Sequence, residues 1–218
     1  MLRGSFVGLC LVVATVIPTA AHASPILVNG SFELGPPVGG QDGDVLAGST
    51  AIDGWLVTGD SIDYLNIPWD VSDGIHAVDL DGRNAVFSGI EQTFATISGQ
   101  AYNVAFDLSG NPGNAVVVGL PFVKHVRATV DGFTQDYSFD STGLSIQSLI
   151  WESLTFSFVA SGPNATLAFM SLQATPNSYG PLIDNVSVTP SAVPEPATLL
   201  LLGTGLVGAG VRLWCKQL

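Results

Sequence analysis

Gly59-Asp60-Ser61, followed by Asp73-Gly74-Ile75-His76, places a serine, an aspartate and a histidine within about 15 residues of one another. Serine with a nearby histidine base is the pairing that nucleophilic hydrolysis needs, with an acid to orient the ring. The surroundings argue against that chemistry. Both motifs lie among short alternating runs with no helix and no oxyanion-hole motif between them, so a turn serine and a sheet histidine are the expected roles. His125, the other histidine beyond the N-terminal segment, faces away from Val126 on an alternating run and has no partner at zinc-ligand spacing. "QDGD" (41–44) and "DLDG" (79–82) are fragments of calcium-loop patterns without the full spacing or a distal glutamate, and are expected to be solvated turns.

The elements that would position these residues are strands. "YNVAFDL" alternates Tyr102, Val104, Phe106 and Leu108 against Asn103 and Asp107. "LTFSFVA" does the same with Leu154, Phe156 and Phe158, and "ATLAFMS" puts Leu167 and Phe169 on one face. "VRATVDGFTQDYSF" reads as a hairpin turning at Asp131-Gly132. Further runs lie at 61–67, 75–81, 89–96 and 183–188, and no stretch of 12 residues keeps a helical period. Ten or so strands at this spacing predict an all-β fold, an antiparallel β-sandwich of the jelly-roll kind. Residues 35–50 are expected to be one long Gly/Pro loop.

The two ends are of another kind. Arg3, the apolar run from Phe6 to Ile17, Pro18, and Ala21-His22-Ala23 form a secretory signal peptide over 1–23, cut after Ala23. At the other end, Val193-Pro194-Glu195-Pro196 closes a proline-rich linker (190–196) and precedes a charge-free run from 197 to 211. As a helix that run spans roughly 22 Å, short of the ~30 Å of a bilayer core. Arg212 and Lys216 follow it and fix a cytoplasmic C-terminus. Residues 197–218 therefore read as a hydrophobic sorting helix with a basic tail, held in the inner membrane only transiently.

Between these ends lies one domain, residues 24–189. The chain has a net charge of −12, and 17 of its 18 acids fall between residues 24 and 192 against Arg83, Lys124 and Arg127. Such a surface repels nucleic acid and excludes it as a partner. Cys10 and Cys215 both lie in the end segments, leaving the domain without a disulfide. Tyr64, Trp69 and Tyr179 stand beside turn residues and are candidates to stack on sugar rings, while Trp55 and Trp151 are expected in the core.

The tail, with its Pro-Glu-Pro, leucine run, glycines and Arg212, resembles the PEP-CTERM sorting signal of Gram-negative bacteria, which implies an exosortase as processing partner. "LVNGSFELG" (27–35) and "GPLIDNVSV" (180–188) resemble the end strands of galactose-binding-like jelly rolls, including carbohydrate-binding modules. That resemblance implies that the two strands meet and that Glu33 and Asp184 hold a structural Ca²⁺. With "DGW" (53–55), "SIDYL" (61–65), "SFDSTG" (138–143) and "WESLTFSF" (151–158), the domain is similar to the choice-of-anchor C domains of exported bacterial proteins, and to a plant cell-wall family. The resemblance implies a non-catalytic extracellular protein that binds or inhabits a polysaccharide matrix. The rival expectations are an adhesive matrix protein without a ligand site and, third, a secreted hydrolase.

Overall fold

Alternation of side chains dictates the architecture. In the computed structural model, which describes residues 26–113 and 122–191, eleven strands form and no helix. They are β1 (Asp42–Leu46), β2 (Leu56–Thr58), β3 (Ser61–Leu65), β4 (Ala77–Asp79), β5 (Gly89–Ala95), β6 (Ala101–Gly110), β7 (Val123–Val130), β8 (Phe133–Asp140), β9 (Glu152–Val159), β10 (Asn164–Ser171) and β11 (Pro181–Pro190). Six make one sheet in the order β1-β3-β4-β11-β6-β9, and five make the other in the order β2-β5-β10-β7-β8. Every pairing is antiparallel. The fold is a β-sandwich.

One core fills the space between the sheets. Tyr102, Val104, Phe106 and Leu108 of β6 meet Leu167 and Phe169 of β10 and Val126 of β7 there. Phe106 packs on Phe169 at 4.8 Å between ring centres and on Phe156 at 6.4 Å. Each such side chain contributes about 1.5–3 kcal/mol by leaving water. The β7–β8 hairpin turns as expected at Asp131-Gly132, whose φ values of 47° and 84° suit a tight two-residue turn. Trp55 is core, its indole N–H donating to Asn29 O at 3.0 Å. Trp151 is not. It lies half-exposed against a small second cluster, donating to Asp70 O at 2.9 Å.

The chain's two end segments do meet, but not as paired strands. Residues 27–35 form turns, with Asn29 and Phe32 at φ of 53° and 60°. Only Ile26 N–H to Val188 O (3.0 Å) and Val186 N–H to Gly30 O (2.9 Å) tie them to β11. Contact is so close that a Cβ on Gly30 would stand 1.9 Å from Val186 O. β11 is itself bulged between Asp184 and Ser187, with Asn185 at φ 50°. The expected 35–50 loop is also interrupted, because Val45 finds the core and draws Asp42–Leu46 into pairing with β3. The signal peptide with Ala21 and Ala23, and the tail with Val193, Pro194, Glu195, Pro196 and Arg212, lie outside the described residues.

Candidate functional site

Register builds the site. Asp44 of β1 pairs with Asp63 of β3, and Asp63 pairs with Asp79 of β4. Residues directly opposite share a face, with Cβ atoms about 5 Å apart. Val45, Ile62, Tyr64 and Val78 point into the core, so the three aspartates form a row on the outer face of the six-stranded sheet. Beside the row, Leu65, Ala77 and Leu182 of that face are covered by Trp69 and Leu149 in a second apolar cluster. Between row and cluster opens a cleft of about 580 Å³, lined by Asp42, Asp44, Asp63, Arg83, Asn111, Trp69 and Tyr179 among others.

The cleft is electrostatically tense. Partial burial, and then the negative charges of Asp42 and Asp44, push the Asp63 carboxyl up to about 7, with Arg83 opposing. Asp79 is fully buried beneath. Its carboxylate accepts from Asn111 Nδ2 (2.6 Å), Asp81 N (3.0 Å) and Gly180 N (2.9 Å), yet burial and neighbouring Asp81 hold it well above the usual range. Asp81 is buried too and pushed to about 7, with Lys124 partly offsetting. The expected solvated turn at 79–82 is therefore wrong. Leu80 enters the core and takes both flanking aspartates under cover with it.

The three aromatic candidates divide. Trp69 and Tyr179 both line the cleft. Tyr64 does not. It is 1% exposed, stacks on the His76 ring at 4.6 Å and donates its hydroxyl to Phe32 O. Its place in the alternation of β3 is inward, so it has no face to offer a sugar.

Glu33 and Asp184 are brought to one loop. Glu33 Oε1 accepts the amides of Ile75 and His76, both at 2.9 Å. Asp184 Oδ2 accepts Ser72 N (2.9 Å) and Asp73 N (2.8 Å), and its Oδ1 accepts Asn185 N (2.6 Å). Burial nonetheless pushes Asp184 up to about 7. Asp107 completes the clasp. Burial raises it, but the Ser153 and Ser72 hydroxyls (2.6 and 2.5 Å) and Asn185 Nδ2 (3.0 Å) bring it below its ordinary value. Segment 72–76 is thus held by three carboxylates, Asp107 of β6 and Asp184 of β11 in the sheet and Glu33 in the turns of the first segment. Among the described residues, no three acidic, histidine or cysteine side chains converge as a metal site. The Ser61–His76 pair does not form either. Leu65 pairs with Ala77, which leaves His76 five residues along from Ser61, about 16 Å.

Asp44, Asp63 and Asp79 went unrecognised as a group in the sequence. Their signal is an aspartate beside aliphatic or aromatic core residues in three successive runs, "DVL", "IDYL" and "VDL", which alternation must place on one outer face.

Residues 25–189 match the family described as "Protein of unknown function (DUF642)". The chain belongs to the DUF642 family. Residues 192–213 match the PEP-CTERM protein-sorting motif, so this DUF642 protein is exported to the cell surface or beyond it. Halomucin of Haloquadratum walsbyi is 27% identical over 186 residues, covering 84% of the chain and 2% of halomucin. The Arabidopsis thaliana "Protein DUF642 L-galactono-1,4-lactone-responsive gene 1" is 25% identical over 186 residues, covering 83% of the chain and 46% of that protein. The chain thus spans less than half the length of either relative. Among solved structures, TmCBM61 in complex with β-1,4-galactotriose superposes with a TM-score of 0.51 at 15% identity, covering 78% of the chain and all of that module. At that identity the likeness is one of fold.

Proposed function

We propose that this exported protein is a non-catalytic carbohydrate-binding module of an extracellular polysaccharide matrix. The observation that carries the reading is the cleft. Two aromatic side chains, Trp69 and Tyr179, and the polar groups of Asp42, Asp44, Asp63, Asn111 and Arg83 line one space of about 580 Å³. Sugar rings present apolar C–H faces that stack on aromatics, and hydroxyls that donate to carboxylates and accept from amide and guanidinium groups. The solved module with this fold is itself bound to a galactotriose. The sorting motif adds an exosortase as processing partner, with transient residence in the inner membrane of a Gram-negative cell.

The test is isothermal titration and insoluble-polysaccharide pulldown across neutral, acidic and amino glycans. Binding that falls at least tenfold in Tyr179→Ala, with melting temperature little changed, supports the reading. No binding to any glycan overturns it in favour of a scaffold without a ligand site, and turnover of glycosides lost in Asp63→Asn would make the cleft an active site.

The structural Ca²⁺ belongs to the proposal in one form. It would add to the loop hydrogen bonds through Glu33 Oε2, which accepts none among the described residues, and through Asp184. Chelation of metal-loaded protein would then lower the melting temperature by roughly 5–10 °C. An unchanged melting curve leaves the amide bonds to Glu33 and Asp184 as the whole staple.

A further inference from the structure

An edge strand offers outward N–H and C=O groups that template another strand, unless charge, proline, a bulge or a covering loop blocks them. Of the four edges in the described fold, three are blocked. β1 carries Asp42 and Asp44. β2 is three residues long and already covered, with Gly48 N–H bonded to Val57 O at 2.8 Å and Val57 N–H to Ser49 O at 3.0 Å. β8 holds Asp136 near its middle, so pairing with its own copy would set that acid beside its mate.

β9 has none of these defences. It runs eight residues, pairs with β6 without a register shift, and makes no backbone hydrogen bond on its free side among the described residues. Alternate residues of an antiparallel strand turn their N–H and C=O groups to the same side, so every second residue of β9 points both away from β6. Charge is missing as well. In this acidic domain, Glu152 is the one charged residue between Asp140 and Asp184. Apolar side chains also stand open at both ends of the strand. Exposed Ile150 and half-exposed Trp151 precede it. Exposed Val159 ends it, beside exposed Ile97 of the turn whose Gly99 N–H bonds Ala160 O at 2.7 Å.

We propose that β9 is a docking edge for a second copy of this chain, the two strands pairing antiparallel about a two-fold axis and joining their six-stranded sheets into one. Side chains directly opposite in such a pair share a face. With Thr155 on the axis, Ser153 meets Ser157, Leu154 meets Phe156, and Trp151 meets Val159. The apolar start of one strand thus covers the apolar end of the other, as an isologous contact requires. Glu152 stays about 20 Å from its mate, well beyond the roughly 8 Å over which exposed charges act at physiological salt. The acids elsewhere on the two domains oppose their approach, so salt strengthens the pair. A single eight-residue ladder is small beside the roughly 1,200–2,000 Å² of a stable complex. The partner is therefore a neighbour at about millimolar local concentration, as copies exported to one surface can be. The inference does not depend on carbohydrate binding. β9 lies at the opposite edge of its sheet from β1, so pairing leaves the cleft open and turns two clefts toward the same side.

The experiment is sedimentation velocity on the exported protein, from micromolar to about millimolar concentration, at low and high salt. The wild type should shift from monomer to dimer as concentration rises, and more readily at high salt. Thr155 is exposed, so Thr155→Lys and Thr155→Glu keep the fold. Each should weaken self-association about tenfold or more by setting like charges opposite each other, and an equal mixture of the two should recover it. Amide exchange of wild-type β9 should slow with concentration while that of β8 does not. A wild type still monomeric at about millimolar concentration overturns the proposal. Association that neither variant weakens places the contact elsewhere and overturns it too, as does slowed exchange in β8 instead of β9. A mixture that fails to associate refutes the two-fold register.

Discussion

Replacing Asp63 by asparagine should stabilise the protein, and only above acidic pH. Asp63 lies between Asp44 and Asp79 in register, and its carboxyl is pushed from 3.8 to about 7 by burial and by Asp42 and Asp44. The folded protein therefore keeps a proton between about pH 4 and 7 that the unfolded chain releases. Stability from this group is full below about pH 4 and is lost as pH rises to about 7. A shift of three units corresponds to a ceiling of about 4 kcal/mol. Because the cleft is open to solvent, screening reduces this to about 1–2 kcal/mol. Asparagine keeps the shape and loses the charge, so Asp63→Asn should match wild type at pH 4 and exceed it by that amount at pH 8. For a domain of this size that is roughly 2–8 °C in melting temperature. Urea denaturation at pH 4, 6 and 8 reads the difference directly. A variant less stable than wild type at pH 8, or one equally improved at both extremes, would refute the electrostatic account of the cleft.

Three further outcomes follow from single contacts. Asp184→Ala removes the acceptor of the Ser72, Asp73 and Asn185 amides and should cost about 2–4 kcal/mol, with amide exchange accelerated across residues 72–76. Tyr64→Phe leaves Phe32 O without its buried donor and should cost about 1–3 kcal/mol while leaving glycan affinity unchanged, which calorimetry on the folded variant checks. Gly30→Ala would drive a Cβ to 1.9 Å from Val186 O; a loss of several kcal/mol in thermal unfolding should accompany the parting of the first segment from β11.

Strands whose two faces differ in polarity were legible. Tyr102, Val104, Phe106 and Leu108 declare their inward face, and Asp131-Gly132 declares its turn, because both signals are local. The site was less so. Tyr64 stands beside turn residues and reads as a candidate to stack on sugar, but β3 also carries Ile62 toward the core, and a period of two sends Tyr64 the same way. Asp79 and Asp81 read as a hydrated turn because nothing within four residues shows that Asn111 and Gly180, a long way off in the chain, will cover them. Glu33 and Asp184, paired in the sequence as calcium ligands, both accept amides of residues 72–76, a meeting place set by tertiary packing that no spacing encodes. What a carboxylate faces depends on which strand lies beside it.

β11 gives the molecule a direction. Ser178 and Tyr179 line the cleft just before this strand begins at Pro181, and the strand ends at Pro190, next to the sorting motif at 192–213. Ten residues of extended chain hold these points about 30 Å apart. The cleft-lining residues Ser178 and Tyr179 and the last described residues of the chain thus lie at opposite ends of one strand. A pull applied at that end of the domain is met by an interior strand, hydrogen-bonded to β4 on one side and β6 on the other, so it loads the middle of the sheet and not an edge.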